Sequence, residues 1–416
     1  MKVVIFEDEH WGELRPLVDL RPVWRLSFGI GKLLDRLIDA FPEAEFLPRQ
    51  ELTELVAEGN EPPFDLSTAS EEPLLLVNGM VREPVEVAAE VRVGKARERF
   101  EIDPDGKPRL VWAILEGEEL SRLKQISPHQ AGFATNLYKQ RKFAAQLTKN
   151  QAEKLLFHRP WEMVAANGDA ITAAFPQYVK THKRIRLRPP VVGDADKLFI
   201  ESGASIEEQI VFSTVDGPII IARGADLRGP SRIEGPCYIG GKTLVDSAQL
   251  RPGTSLGYNC RVGGEVEESI LSDHVNKHHY GFLGHAYVGE WVNLGAGVTN
   301  SDLKNTYGAV RVFTPAGRVD SGLMKVGCFI GDHVQLGIGT LIGTGVSIDC
   351  FTNLYDWPVL GEYIPAFSWG GGGKLAPYRL DQALKVAERM MARRGVELTD
   401  SYRELITRLA EKTADE

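Results

Sequence analysis

Three histidines lie close together in the second half of the 416-residue chain, at His278, His279 and His285. An imidazole with its ordinary pKa of about 6.5 is largely neutral at pH 7, so it can accept a proton from a reacting group or bind a metal ion. Neighbouring residues on a strand point to opposite faces, so His278 and His279 do not easily ligate one ion. A base is therefore favoured over a metal site, and a purely structural His279 is the plain alternative.

The segment that carries these histidines follows a rhythm of six residues, with glycines concentrated after residue 200. Apolar residues, with Asn276 among them, recur at this spacing at Ile221, Leu227, Ile233 and Ile239, at Leu250, Leu256 and Val262, at Ile270, Asn276, Phe282, Val288 and Leu294, and at Ile330, Leu336, Ile342 and Ile348. An ordinary series of strands would alternate at period two with irregular spacing. The six-residue period predicts a hexapeptide β-helix, in which each aliphatic residue stacks inward. Residues 300–325, which include 305–308 and 315–317, interrupt the rhythm, as insertions that serve a binding site commonly do.

The N-terminal region has the pattern of an α/β domain. A short apolar strand is predicted at 3–6, an amphipathic helix from about Gly31, and a buried strand at 74–77 that ends at Asn78-Gly79. Strands that alternate with helices predict a parallel sheet with ligands at the carboxyl ends of its strands. Residues 137–175 have a mostly helical composition. The basic stretch 180–190 follows, as a solvated linker or a phosphate contact, and the domain boundary is placed there.

Two helices are predicted after the glycine run 370–373. The first extends from Asp381, a candidate N-cap, to Gly395, and the second opens with the capping-box pattern Ser401-x-x-Glu404. We expect them to pack on the end of the solenoid and cap it. The predicted domains are therefore 1–190, 191–370 and 371–416.

Composition narrows the class of protein. The formal net charge of −9 argues against a general nucleic-acid binder, and no apolar run is long enough to cross a bilayer. The N-terminus lacks the layout of a signal peptide. The four cysteines are scattered without a CxxC pair, so neither a disulfide framework nor a zinc site is indicated. A cytoplasmic protein is the simplest interpretation.

Four motifs in the repeat region resemble a known family. AQLRPG at 248–253 is similar to ARLRPG, Val266-Glu267 to a sugar-holding segment, HYGFLG at 279–284 to HLTYLG, and VNLGAG at 292–297 to VNIGAG. These stretches belong to the bifunctional enzymes that make UDP-N-acetylglucosamine by coupling a glucosamine-1-phosphate N-acetyltransferase to a nucleotidyltransferase. The chain most resembles a shortened, divergent bacterial branch of that family. The resemblance implies a nucleotidyltransferase-like α/β domain followed by a left-handed parallel β-helix with C-terminal helices, and a homotrimer.

The resemblance also implies roles for residues in the repeat region. His279 corresponds to the general base, Arg251 and Lys325 to the cations on the phosphate of the sugar, Glu267 and Asn293 to contacts on the amino sugar, and Ala296 to the neighbour of the acetyl-CoA thioester. Two departures matter, because the family's tyrosine is Phe282 here and its lysine after the glutamate is Ser269. Lys277 could restore the missing charge at the phosphate.

The N-terminal motif 6–23 is less complete. Nucleotidyltransferases of this superfamily hold a triphosphate with a glycine-rich loop, an arginine and a lysine, and bind Mg²⁺ through a glycine-aspartate pair. Arg15 and Arg21 survive, but Val23 replaces the lysine and Asn78 stands near the expected aspartate. Arg15, Arg21 and Asn78 are therefore the candidate nucleotide-binding residues, and the metal ligands stay open.

The leading hypothesis is a bifunctional transferase that uses acetyl-CoA, a sugar phosphate and UTP. One alternative is a sugar-1-phosphate nucleotidyltransferase that no longer transfers acetyl groups. The other is a non-catalytic trimer that binds sugar nucleotides. Arg251, His279 and Asn293 favour catalysis, because a scaffold needs none of them, whereas Val23 and Asn78 favour the non-catalytic alternative.

Overall fold

The computed structural model describes residues 1–59, 61–65, 72–123, 154–185, 189–314, 317–356, 359–361 and 363–415. Contacts divide the chain into two compact units. The first unit comprises Met1–Leu14, Leu20–Leu26 and Lys32–Arg159, and the second comprises Arg15–Asp19, Ser27–Gly31 and Pro160–Glu416. The units thus divide after Arg159, whereas the boundary at 190 rested on the basic stretch and stays a prediction. Part of the helical segment predicted at 137–175, and residues 315–316 of the insertion, lie outside the described residues.

The first unit is a five-stranded sheet with helices. Its strands are β1 (Lys2–Phe6), β2 (Glu45–Leu47), β3 (Leu74–Asn78), β4 (Glu98–Ile102) and β5 (Pro108–Leu115). Its helices are α1 (Leu33–Ala40), α2 (Thr53–Ala57), α3 (Pro84–Val93) and α4 (Glu118–Leu123). The sheet order is β2-β1-β3-β5-β4. Strands β1, β2 and β3 are parallel, as predicted, but β5 is antiparallel to both β3 and β4, so the prediction of a wholly parallel sheet is wrong.

The predicted elements β1, α1 and β3 are confirmed. They could be predicted because each depends on a local apolar pattern. The antiparallel pair follows from the short connection between β4 and β5, which the turn at Asp103–Gly106 closes with a backbone hydrogen bond. The chain continues from β1 to β2 on one side of it and then to β3 on the other side. The carboxyl ends of β1 and β3 therefore meet at the place where ligands of open α/β sheets usually bind.

The second unit is a parallel β-solenoid whose short strands wind around three faces. The first face contains β7 (Leu198–Ile200), β10 (Ile219–Ile221), β13 (Cys237–Ile239), β15 (Thr254–Leu256), β17 (Ile270–Leu271), β20 (Tyr287–Val288), β25 (Phe329–Ile330) and β28 (Ser347–Ile348). The second face contains β8 (Ser205–Ile206), β11 (Asp226–Arg228), the starts of β14 (Leu244–Leu250) and β16 (Arg261–Glu267), β18 (Asn276–Lys277), β21 (Asn293–Leu294), β26 (Gln335–Leu336), β29 (Asn353–Leu354) and β31 (Ser368–Gly371). The third face contains β9 (Ile210–Ser213), β12 (Ser231–Glu234), the ends of β14 and β16, β19 (Phe282–Gly284), β22 (Thr299–Asn300), β27 (Leu341–Ile342) and β30 (Val359–Leu360).

Further elements lie beside the coils. They are β6 (Val191–Val192), the insertion hairpin β23 (Arg311–Thr314) and β24 (Gly317–Asp320), β32 (Lys374–Pro377), and the helices α5 (Pro160–Thr181), α6 (Leu380–Ala392) and α7 (Asp400–Asp415). The predicted fold class, an α/β region followed by a hexapeptide β-helix and C-terminal helices, is confirmed. None of the described helices is long and apolar enough to span a membrane.

The six-residue period is confirmed by the core of the solenoid, with one correction of register. Most of the predicted apolar positions are buried in one continuous core. Between β17 and β19, however, the inward positions are Leu271, Lys277 and Leu283, one residue beyond the predicted ones. Because side chains alternate along a strand, this shift turns Asn276 outward and places a lysine among aliphatic residues.

The tail helices differ from the prediction in position and in capping. Helix α6 begins at Leu380, so Asp381 lies in its first turn rather than at its N-cap, and Thr399 Oγ1 accepts a bond from the Tyr402 N–H at the start of α7. The helices lie along the second face instead of over the end of the solenoid. Gln335 Nε2 lies 3.5 Å from Met390 Sδ, and His333 Nε2 lies 3.0 Å from Tyr402 Oη. The tail therefore covers part of one flank.

A column of stacked rings lies at the corner between the first and second faces. The rings of His274 and Trp291 stack with centroids 3.9 Å apart, and those of His333 and Phe351 with centroids 4.6 Å apart. All four residues have positive φ, since each occupies the same left-handed corner position in its own coil. The column forms a rigid wall beside the site described next.

Candidate functional site

His279 lies at a corner of the solenoid, between β18 on the second face and β19 on the third. Its side chain is exposed and lines a cavity of about 670 Å³ together with Asn293, Trp291 and residues of α6. Asn276 Nδ2 donates to Asn293 Oδ1 at 2.6 Å, which fixes the amide on the cavity floor. The structure thus brings two of the predicted site residues, His279 and Asn293, to one cavity.

His278 lines the same cavity, which corrects the sequence-based expectation that it faces away from His279. The expectation assumed an extended strand, but the two residues occupy a corner after β18, where strict alternation does not hold. Their ring centroids lie 5.2 Å apart. Either imidazole can therefore reach a molecule in the cavity, and only substitution distinguishes them.

Ala296 occupies the equivalent corner one coil further on. The Gly297 N–H donates to the Tyr280 carbonyl at 2.9 Å, so the two corners stack directly. This stacking places the backbone around Ala296 next to the corner that carries His279, and its role beside the thioester stays a prediction. Gly297 has a φ of +78°, and a Cβ there would meet Tyr280 Oη at 3.0 Å, so a side chain would strain the stack.

Lys277 does not reach the surface of the site. It is 2% exposed, and its ammonium group donates to the carbonyls of Gly263, His279 and Gly281 at 2.7 to 2.9 Å. Burial lowers the pKa of Lys277 to about 8, while three acceptors match the three N–H donors of its charged form. The suggested contact with a phosphate is therefore not supported. Because Lys277 points inward, its hydrogen bonds stabilise the corner that carries His279.

Arg251, Glu267 and Lys325 meet at a different corner, between the third and first faces. In the coil that contains His279, strand β19 lies between His279 and this corner. Arg251 Nε donates to Glu265 Oε1 at 2.5 Å, and Lys325 Nζ lies 3.4 Å from Glu267 Oε1. Arg251 also lies 3.8 Å from Glu234 and 3.9 Å from Glu267. The cations predicted for the sugar phosphate are thus already surrounded by carboxylates in the single chain.

His285 belongs to this second corner and is separate from the other two histidines. Its Nε2 lies 2.8 Å from Glu268 Oε2 and its Nδ1 lies 2.8 Å from Asp302 Oδ2. Burial by itself lowers the pKa of His285, but the hydrogen bonds and charges of Asp302 and Glu268 outweigh it and raise the pKa to about 9. His285 is therefore charged at pH 7, and a metal site formed by the three histidines is not supported.

This charged triad predicts a pH-dependent contribution to stability. The folded pKa of about 9 exceeds the unfolded value of about 6.5, so the contribution is fully present below pH 6.5 and is lost as the pH rises through 9. We expect His285→Gln to lower the free energy of unfolding of the solenoid by up to about 3 kcal/mol at pH 6. Urea titrations should show that the difference from wild type shrinks at pH 10, and an unchanged difference would contradict this account.

In the first unit, Arg21 and Asn78 lie near the carboxyl ends of β1 and β3. Arg49 Nη1 donates to the Arg21 carbonyl at 3.4 Å and to Glu7 Oε1 at 2.8 Å, and the Val23 N–H donates to Glu7 at 3.0 Å. Glu7 and Arg49 thus hold the segment that carries Arg21. Sequence analysis missed both residues, although an acidic residue directly after a buried strand is a usable signal.

Arg15 is placed differently from Arg21. Its Nε lies 2.8 Å from Asp19 Oδ1, and both residues group with the solenoid unit. Both arginines belong to the motif 6–23 of the sequence, but the contacts assign them to different units. The role of Arg15 at a nucleotide therefore stays a prediction.

Asn78, which stands near the aspartate that binds Mg²⁺ in the resembled superfamily, has its side-chain amide engaged within the unit. The Asn78 Nδ2 donates to Asp8 Oδ2 and to the Leu110 carbonyl, and its Oδ1 accepts from the Met80 N–H. Oxygens of Glu13, Asp103 and Asp105 lie within 4.8 Å of one another.

An arginine already supplies positive charge to that carboxylate group. Arg109 contacts both Glu13 and Asp103, at 2.5 and 2.7 Å. Burial raises the pKa of Glu13 to about 7, which weakens it further as a metal ligand. Arg109 therefore already supplies this carboxylate group with the positive charge that a metal ion would bring.

The fold and the cavity define a hexapeptide-type β-solenoid with a histidine-containing site, attached to an α/β unit. Residues 3–183 match the family model described as sugar nucleotidyl transferase. The resemblance of the motifs is confirmed by relatives named as bifunctional proteins, one of which carries both activities in its name. The bifunctional sugar-1-phosphate nucleotidylyltransferase/acetyltransferase of Sulfurisphaera tokodaii is 32% identical over 168 residues, which cover 40% of this chain and 41% of that protein.

Two further relatives are bifunctional GlmU proteins. That of Jannaschia is 31% identical over 34% of this chain and 29% of its own length, and that of Sphingopyxis alaskensis is 40% identical over 22% and 20%. The matched regions therefore span less than half the length of each of these three relatives. A solved UDP-N-acetylglucosamine acyltransferase from Francisella novicida aligns with 50% of this chain and 87% of its own at 10% identity, with a TM-score of 0.28, which is too low to bear on function.

Proposed function

We propose that this chain is a bifunctional transferase. The solenoid acetylates the amine of an amino-sugar 1-phosphate with acetyl-CoA, and the α/β unit transfers a nucleotidyl group from UTP to give UDP-N-acetylglucosamine. The observation that carries the proposal is the common cavity of His279 and Asn293. The relatives named as bifunctional enzymes support the same pairing of activities.

The proposed acetyl transfer requires a base at the amine of the sugar. As the nitrogen attacks the thioester carbonyl, a C–N bond forms and the nitrogen must lose a proton, which the His279 imidazole accepts. The C–S bond then breaks and coenzyme A leaves as the thiol. The N–H groups of Gly295 and Gly297 already donate to carbonyls of neighbouring coils, so the Ala296 N–H between them is the backbone donor proposed to stabilise the oxyanion of the intermediate.

Two assays on the purified chain test this proposal. Coenzyme A release with glucosamine 1-phosphate reports the solenoid activity, and pyrophosphate release with N-acetylglucosamine 1-phosphate and UTP reports the α/β activity. The Mg²⁺ requirement that the resemblance implies is part of the proposal, and chelation in the pyrophosphate assay tests it. Pyrophosphate release without coenzyme A release would establish the single-activity alternative, and the absence of both would leave a binding protein.

A homotrimer belongs to the same proposal, since β-solenoids of the resembled family assemble around their axis. Exposed apolar side chains support an interface near the third face, where Leu341 and Val359 pair on neighbouring strands and Ile338 is 80% exposed. Light scattering at micromolar concentration should give three times the chain mass of 46.0 kDa. A monomer under these conditions would contradict it.

A further inference from the structure

Four arginines gather at the cavity that contains His279, and none of them was among the predicted site residues. Arg261 comes from the second face of the solenoid, Arg389 from helix α6, and Arg393 and Arg394 from the turn that follows it. No Asp or Glu side chain is among the described residues that line this cavity. A chain with a net charge of −9 thus concentrates positive charge at one place.

Two of these guanidinium groups are held close together by one amide. Arg261 Nη1 donates to Asn259 Oδ1 at 3.2 Å and to the Cys260 carbonyl at 2.7 Å. Arg394 Nη1 donates to the same Asn259 oxygen at 3.5 Å. Like charges repel, so this arrangement costs free energy unless an anion lies between or beside them. Consistent with that cost, burial and then the charges of Arg261 and Arg393 lower the pKa of Arg394.

The other two arginines reach the cavity because of helical periodicity. Arg389 and Arg393 are four residues apart and therefore lie on one side of the α6 axis, and both are exposed. Met390, which also lines the cavity, holds this side of the helix near the solenoid, since its Sδ lies 3.5 Å from Gln335 Nε2. Among the described residues, none of the four arginines forms an ion pair with a carboxylate within 4.0 Å, in contrast to Arg251.

We infer that Arg261, Arg389, Arg393 and Arg394 form a binding site for a phosphate ester or diphosphate, built jointly by the solenoid flank and the C-terminal helix. Guanidinium groups bind phosphate oxygens through paired, charge-assisted hydrogen bonds. This inference extends the proposed acetyl transfer, because His279 lines the same cavity. Only the identity of the phosphate-bearing ligand rests on the proposed function. Coenzyme A, an amino-sugar 1-phosphate and UTP all carry the required chemistry.

Direct binding tests this inference without turnover. Calorimetry on the full chain should be run with coenzyme A, glucosamine 1-phosphate, UTP and inorganic pyrophosphate as separate probes. Because the α/β unit is also proposed to bind UTP and to release pyrophosphate, the relevant probe is the tightest one whose affinity Arg21→Ala leaves unchanged. We expect Arg389→Gln/Arg393→Gln to weaken binding of that probe at least about ten-fold, and more at low salt than at high salt. The ranking of the probes identifies which phosphate the site accepts.

A matched control removes two positive charges elsewhere on the tail. Lys385→Gln/Arg408→Gln changes the net charge equally, but neither residue lines the cavity. The control should bind the same probe with nearly wild-type affinity. Equal losses in the two double variants would show general charge attraction only, and wild-type affinity in Arg389→Gln/Arg393→Gln would overturn the site. The absence of wild-type binding to every probe at millimolar concentration would overturn it as well.

The same data separate this inference from the proposed function. Arginine-dependent binding in a chain that releases neither coenzyme A nor pyrophosphate would keep the phosphate site and refute the transferase proposal. Turnover of acetyl-CoA by a chain whose affinity for every probe is unchanged in Arg389→Gln/Arg393→Gln would do the reverse. Far-ultraviolet circular dichroism on each variant checks that the exposed substitutions leave the fold intact.

Discussion

His279→Ala should lower the rate of acetyl transfer by about 10²–10⁴-fold, because a positioned base contributes that much to a reaction in which nitrogen must lose a proton. The side chain is exposed, so its removal should change the free energy of unfolding by about 0.5 kcal/mol or less. Binding of the sugar phosphate should change little, since imidazole is not its proposed anchor. Steady-state kinetics of coenzyme A release should therefore show a loss in kcat with a nearly constant KM.

His278→Ala is the matched control for this prediction. Both rings line the cavity, so position alone does not select the base, and the resemblance of HYGFLG to HLTYLG is what favours His279. We expect a much smaller loss for His278→Ala. If His278→Ala loses the larger part of the activity, the base is the wrong histidine, and if His279→Ala retains the wild-type rate, the proposed mechanism is wrong.

Arg49→Met should destabilise the α/β unit by about 3–5 kcal/mol, because it leaves the buried carboxylate of Glu7 without its cation. The Arg49 and Glu7 side chains are 4% and 0% exposed, and the Arg49 guanidinium lies 3.9 Å over the Trp11 ring. The variant also frees the segment that carries Arg21, so pyrophosphate release should fall together with stability. Chemical unfolding and the pyrophosphate assay measure the two effects.

Two companion variants make this prediction specific. Glu7→Gln/Arg49→Met removes both charges, and it should recover much of the lost stability, because replacing both partners of a buried pair is far milder than removing one. Arg36→Met breaks the more exposed pair with Glu83 in the same unit and should cost about 1 kcal/mol or less. A cost for Arg49→Met as small as that for Arg36→Met would show that the buried pair does not hold this region.

The sequence determined the features that depend on local periodicity and on short motifs. The period of six predicted the solenoid, since each coil repeats the same inward apolar positions, and the apolar runs predicted β1 and β3. The resemblance of the motifs around Arg251, His279 and Asn293 to those of a known family implied an acyltransferase site, of which His279 and Asn293 line one cavity.

Only the tertiary structure decided the features that depend on where a coil turns and on what packs beside it. A one-residue change of register buried Lys277 under three carbonyls, and a corner rather than a strand turned His278 toward His279. The capping signals at Asp381 and Gly395 predicted the helix α6 but did not specify the surface it covers. Packing along the second face, rather than over the end, placed Arg389 and Arg393 beside the histidine cavity, because long-range contacts and not local sequence select the partner of an apolar helix face.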